Sequence, residues 1–465
     1  MDVQYTSSAE TLDGANGDDD DEILFKDNSD QEIKAFKYRW FILALYSLTA
    51  FSNTLVWLSL FTVTDATCAF YDIDTYMLLW SSNAFTFMQV IIAIPASFLP
   101  SKLGLRPTMV LAAAINAIGA CIMIAGTHRN GFLFFICGQT IVAIAASILP
   151  QLAPEVSAVW FPKSEHAIST SIGIILGNAG AAVGFLQPAL LIKNIDVKSN
   201  VDYVGEKLRQ LIYSQAALCV LLMFAILVFF KGRPKQPPSM SQAIRHGPGG
   251  MSFADFKSNY KKLLKNVNYH LCGNSFALNS VLLVIVPVIL NQIMSSTFPN
   301  HDATVGWMGF AGIVVGIIGS VLFGFVLDRT QAYKKLALSL SGVSLIFWIG
   351  FSESLAEWNN LPLTFTLFVV CLFAFIPFGP ILVDMMSEMT YPVPESMSFV
   401  GPITVGRFYS IPTVFLLGWL VEEKKFHTSC YVIAAFIALC FVLVFLAKVK
   451  LKRNVAEEPV LEMPY

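Results

Sequence analysis

Pro107-Thr-Met-Val-Leu-Ala-Ala-Ala-Ile-Asn-Ala-Ile-Gly-Ala-Cys-Ile-Met-Ile-Ala-Gly126 contains no charged side chain. A helix needs about 20 mostly apolar residues to cross a bilayer, and this run supplies them. Its apolar residues form a continuous block. A barrel strand would instead alternate apolar and polar residues over about ten positions. Eleven more runs of this kind follow the same rule, at 39–63, 77–99, 131–153, 168–191, 210–231, 269–295, 305–327, 334–353, 361–385, 397–420 and 428–449. The expected fold is therefore an all-α membrane protein of twelve transmembrane helices.

Composition agrees. Of 465 residues, 55% are hydrophobic and 13% charged, against roughly 25% charged in soluble proteins. Mean hydropathy is +0.63. This excludes a soluble globular enzyme, a nucleic-acid binder and a disordered chain. The net charge of −2 conceals an asymmetry: residues 1–32 hold 11 acids and one base, Lys26, whereas the rest holds 29 bases and 21 acids. Eight cysteines lie mostly in apolar runs, with no CxxC pair and no zinc spacing. The sequence predicts no metal and no cofactor.

Lysines and arginines in the connections set the orientation. With the N-terminus in the cytoplasm, the cytoplasmic segments hold 22 bases and the opposite side seven. Both termini are therefore expected in the cytoplasm, with the chain in the plasma membrane or an endolysosomal membrane. The longest connection splits the spans six and six. Expected units are an acidic tail over 1–35, a six-helix bundle over 36–231, a linker over 232–268, a second bundle over 269–449 and a tail over 450–465. Within the linker, Phe253, Phe256, Tyr260, Leu263 and Leu264 recur at helical spacing among lysines, as in a helix lying on the membrane surface. In the acidic tail, Asp18-Asp-Asp-Asp-Glu-Ile-Leu24 has the form of a dileucine-type sorting signal with Ile23 and Leu24 as its apolar pair.

The two halves echo each other. Ser101-Lys102 after the second span corresponds to Asp328-Arg329 after the eighth, and Phe161-Pro-Lys-Ser-Glu165 to Tyr391-Pro-Val-Pro-Glu395. Parallel six-helix repeats are the layout of transporters that expose a central site to alternate sides. Charges at the cytoplasmic helix ends are then candidates for gate pairs between the halves: Lys102, Arg106, Glu165, Asp328, Arg329, Asp384, Glu388 and Glu395.

Polar residues inside spans mark the candidate site. Arg407 lies mid-span in the eleventh run, where a guanidinium costs roughly 2.5–3.5 kcal/mol on insertion scales. Subtracting the half-repeat offset places Asn178 at the equivalent position of span five. Asn53 and Trp57 lie one turn apart in span one, Gln139 in span four, and Asn279 in span seven. Arg407 is expected to meet an anionic group, and Trp57 to offer an aromatic face to a ring or an ammonium.

Taken in order, several stretches are similar to the major facilitator superfamily, and within it to the solute carrier 49 group related to the feline leukaemia virus subgroup C receptor. They include Ser52-Asn-Thr-Leu-Val-Trp57-Leu-Ser, Gly104-Leu-Arg106, Gly184-Phe-Leu-x-Pro188, Arg233-Pro-Lys-x-Pro-Pro-Ser239, Gly306-Trp-x-Gly-Phe310 and Glu388-x-Thr-Tyr-Pro-Val-Pro-Glu395. The resemblance implies a carrier for small organic solutes; members are associated with choline and ethanolamine, heme and a B-vitamin. It also implies that Trp57 matches a span-one Trp of choline carriers and that Asn178 replaces their span-five Gln. Two departures oppose choline: Val284 stands near a position that is Tyr in those carriers, and Arg407 stands where the family has Gln. The expected function is transport of a small organic solute, choline/ethanolamine-, heme- or vitamin-like or an organic anion, by alternating access and without ion coupling. The expected chain is a monomer in the lipid bilayer with no nucleic-acid partner. The alternative is a receptor or sensor that has a transporter fold without transporting. An intramembrane enzyme is not expected, because HExxH, GxGD and GxSxG motifs are all missing.

Overall fold

The computed structural model describes residues 37–162, 165–192, 200–234, 261, 263–298, 301–390, 395–423 and 425–449. The acidic tail with Ile23 and Leu24, the C-terminal tail and most of the linker's amphipathic stretch lie outside these residues. Twelve long apolar helices carry the fold. In chain order they are α1 (Tyr38–Leu58), α2 (Thr75–Leu103), α3 (Leu105–Ala125), α4 (Phe132–Trp160), α5 (His166–Leu191), α6 (Val201–Phe229), α7 (Val267–Thr297), α8 (Asp302–Thr330), α9 (Tyr333–Glu353), α10 (Leu361–Thr390), α11 (Glu395–Glu422) and α12 (Phe426–Leu446). Each contains one of the twelve apolar runs or overlaps most of it. The first span is longer than α1 alone, continuing through a 3-10 turn, Phe61–Val63, and a short helix, Thr64–Tyr71. That helix ends at Asp72, whose φ of 53° turns the chain toward α2.

Prolines do not break these helices. Pro95 and Pro100 lie inside α2, Pro150 and Pro154 inside α4, and Pro377 and Pro380 inside α10. Neighbouring helices can re-satisfy the backbone groups a proline frees, so membrane helices tolerate it.

The helix pairings of one half recur in the other. In the first bundle α1 packs on α5, α2 on α4, α3 on α4 and α3 on α6; in the second, α7 packs on α11, α8 on α10, α9 on α10 and α9 on α12. Between bundles the main contacts are α5 with α8 and α2 with α11, a pair related by the same six-helix shift. Small residues allow the closest approaches. A Cβ on Gly180 of α5 would collide with the Phe51 carbonyl oxygen of α1, so only glycine permits this spacing.

An even number of spans puts both termini on one side, and the packed core differs between that side and the far side. On the far side one apolar cluster includes both bundles, with Leu60, Phe61, Leu79 and Phe185 packed in the same core as Ile289, Ile293, Val305, Met308 and Leu417. On the termini side each bundle keeps its own cluster: Ile42, Tyr46, Met109, Leu152 and Trp160 in the first, and Tyr269, Leu340, Phe378, Met385 and Val444 in the second. Among the described residues the bundles thus share one core at the far end and keep separate cores at the termini end.

Candidate functional site

The far-side seal is the floor of the site. Gly306 of α8 meets Ala189 and the Phe185 carbonyl of α5, and Gly418 of α11 meets Leu79 of α2. The Trp80 ring of α2 meets Phe415 of α11 edge-on, with centroids 4.7 Å apart. The Asn291 side-chain amide of α7 donates to the Thr62 carbonyl at the far end of the first span.

Above this seal lies a cavity of about 370 Å³ with walls from both bundles. Tyr46, Asn53 and Trp57 line it from α1, Phe85 and Gln89 from α2, and Gly177 and Asn178 from α5. The facing wall includes Ser280 and Val284 of α7, Ile313 of α8, Phe375 of α10 and Arg407 of α11. Most of the lining is apolar. Arg407 is the only charged residue among the lining residues. No acidic residue lines the cavity, and Arg407 makes no ion pair or hydrogen bond among the described residues.

Trp57 is half-buried and stacks on Phe85, with centroids 5.6 Å apart and planes at 23°. Its indole N–H has no hydrogen-bond partner among the described residues. Asn178 is exposed and lines the wall across the bundle interface from Arg407. The two residues that the half-repeat places at equivalent positions therefore share one cavity.

The other intramembrane amides hold helices together. Asn53 touches the cavity, but its amide nitrogen donates to Asn116 Oδ1 at 2.9 Å and to the Val142 carbonyl at 3.1 Å. Asn116 in turn donates to Ser52 Oγ at 3.1 Å, so one network ties α1, α3 and α4. Gln139 is buried behind the wall and donates to the Val56 carbonyl at 3.2 Å; it does not line the cavity. Asn279 is buried too, donating to the Phe375 carbonyl at 3.3 Å, and its neighbour Ser280 takes the lining position instead. Gln139 and Asn279, expected to face the solute, are directed at neighbouring backbone by the rotation of α4 and α7. Most of the lining escaped the sequence reading, including Phe85, Gln89 and Ser280. Gln89 carried a usable signal, as a polar residue one turn from Phe85 in an apolar run, whereas Phe85 and Ser280 carried none.

The gate candidates are spread over the termini side. Glu165 accepts from Arg39 at 2.9 Å, a partner the sequence reading missed. The Arg39 guanidinium also lies 5.5 Å from the Phe161 ring centroid. Arg106 donates to the Leu227 carbonyl at 3.2 Å, joining α3 to α6. Lys102, Arg329 and Asp384 are exposed, and Glu388 is buried on α10. The side chains of Asp328 and Glu395 lie outside the described residues. The two ion pairs among the described residues, Arg39–Glu165 and Arg129–Asp202, are both within the first bundle.

Among the described residues no three His, Cys, Asp or Glu side chains gather as a metal site. A sequence profile described as Major Facilitator Superfamily matches residues 40–396. The chain belongs to the Major Facilitator Superfamily. It is an integral membrane protein of a transporter family, which is not a class of enzymes. An uncharacterised MFS-type transporter of Caenorhabditis elegans is 25% identical over 93% of this chain and 73% of its own length. The choline/ethanolamine transporter flvcr2b of Danio rerio is 25% identical over 92% of this chain and 87% of its own length. These relatives agree with the resemblance to the solute carrier 49 group drawn from the motifs. The fold is similar to that of a bacterial homologue of the human lysosomal transporter Spinster, with a TM-score of 0.69 at 10% identity over 89% of this chain and 97% of that one.

Proposed function

We propose that this member of the superfamily carries one small organic solute through the central cavity by alternating access, without ion coupling, with Trp57, Asn178 and Arg407 contacting the solute. The observation that carries the reading is the asymmetric core: a cavity walled by both bundles, sealed by a shared cluster on one side and flanked by separate clusters on the other. A cavity of this kind changes sides if the bundles rock about the site. The excess of bases on the termini side orients that side to the cytoplasm, so the cavity opens inward in this conformation. Lys102, Arg106, Glu165, Asp328, Arg329, Asp384, Glu388 and Glu395 then supply pairs across the bundles when that side closes.

Similar proteins named as choline/ethanolamine transporters make those two amines the first solutes to test. The Trp57 face suits an ammonium, whereas the Arg407 charge repels one. A volume of about 370 Å³ sits at the small end of the roughly 300–1,000 Å³ of small-molecule sites, favouring a compact solute over a tetrapyrrole. The test is counterflow in liposomes holding the full chain, with labelled choline, ethanolamine and small organic anions. Saturable exchange of at least one is expected. It should be arrested by a disulfide between cysteines placed at Leu79 and Gly418 and restored by reduction. No saturable exchange of any, or exchange indifferent to the crosslink, would overturn the reading.

A further inference from the structure

Arg407 is a fixed cation, and nothing among the described residues that line its cavity neutralises it. The lining has no acid, and the guanidinium has no ion pair or hydrogen bond among the described residues. A structural arginine at this depth is ordinarily paired or turned to backbone carbonyls, as Arg106 is turned to Leu227. Arg407 instead remains partly exposed on a wall that is otherwise mostly apolar. A guanidinium presents a planar fork that fits carboxylate and phosphate oxygens two at a time, and its attraction for them grows where the surroundings exclude water.

The remaining lining describes the rest of the solute. The Trp57 ring, backed by the buried Phe85 ring stacked on it, offers a flat apolar face on the first bundle. Asn178, on the same bundle, adds one neutral amide to the cavity that Arg407 lines. We propose that the transported solute carries an oxyanion, a carboxylate or a phosphate, on a compact apolar or planar body, with the oxyanion on Arg407 and the body against Trp57 and Phe85. This rests on the carrier reading and narrows it to a class of solute that the choline/ethanolamine relatives do not name. It also makes the solute the counter-ion of the site, touching both bundles at once.

The test is binding to the purified full chain by four probes that share a phenyl ring: benzoate, phenyl phosphate, benzamide and phenyltrimethylammonium. Benzoate or phenyl phosphate, whichever oxyanion the site takes, should bind roughly 10–100-fold more tightly than the amide or the cation, the range a charge-assisted contact supplies. R407Q should erase that preference. R407K, which keeps a charge without the fork, should retain part of it and shows whether loss in R407Q reflects charge or misfolding. Equal binding of all four probes, tighter binding of the cation, or an unchanged preference in R407Q would overturn the proposal. If choline or ethanolamine still exchanges in liposomes when this happens, the carrier reading stands and only the anionic class falls. If neither the binding preference nor any flux is found, both fall.

Discussion

The Asn291 side chain of α7 donates its amide hydrogen to the Thr62 carbonyl in the turn after α1, a hydrogen bond that crosses from one six-helix bundle to the other. It sits within the shared far-side cluster, so breaking it belongs to the step that opens the far side. Asn291→Leu removes the donor and leaves the carbonyl unpaired. A net hydrogen bond is worth about 1 kcal/mol, so the balance should shift about fivefold toward the far-side-open state. Distance measurements between spin labels on the far ends of α2 and α11 would show it. An unchanged distribution would mean that the bond does not hold the seal.

Gly306 provides a steric test of the same seal. A Cβ there would collide with the Ala189 Cβ, and overpacking costs about 1–3 kcal/mol. Gly306→Ala should wedge α5 from α8 without touching the two termini-side clusters. A cysteine at Leu79, buried in the seal, should then react faster with an impermeant thiol reagent from the far side. No change in that rate would argue against the wedge.

Two asparagines on the same cavity should separate by readout. Asn53→Ala breaks the network to Asn116 and Val142, leaving buried partners unsatisfied at a cost of about 1–3 kcal/mol. A lower melting temperature is expected. Asn178→Ala removes an exposed side chain without a hydrogen bond among the described residues, so stability should hold while solute affinity falls. The reverse pattern would exchange their roles.

Arg39 and Glu165 should contribute little to stability. Their exposures of 14% and 32% place the pair near the surface, where such pairs give about 0–1 kcal/mol. A double-mutant cycle with Arg39→Gln and Glu165→Gln should return a coupling in that range and weaken with salt. A value above about 2 kcal/mol would mark the pair as buried in function.

Among the described residues the cavity lining offers no carboxyl group to load with a proton. Liposomes with an imposed pH gradient and no solute gradient should therefore accumulate no solute. Concentrative uptake under the proton gradient would assign a coupling role to an acid outside the lining, and Glu388, buried on α10, would be the first to replace.

The helices were legible because a bilayer demands long apolar runs, and the two bundles because Ser101-Lys102 and Asp328-Arg329 recur at one offset. Arg407 was legible for the same reason: a charge inside an apolar run requires a destination. The amides were not separable. Asn53, Gln139, Asn178 and Asn279 look alike in sequence, and which of them meets the cavity depends on how each helix is rotated against its neighbours. Packing fixes that rotation, as in the contact of Gly180 with the Phe51 carbonyl. The gate charges stayed unresolved for a different reason. In the proposed cycle, pairing between bundles on the termini side belongs to a conformation in which that side is closed.

The division of the core into one shared and two private clusters constrains how this protein can be made more robust. Substitutions that deepen the shared cluster raise the melting temperature by holding the bundles together at one end, and so remove the motion that delivers cargo. Substitutions confined to either private cluster stiffen a single bundle and leave the hinge free. A screen for heat resistance alone would therefore reward immobile variants, and a screen for retained turnover should return its gains from the interiors around Met109 and Met385.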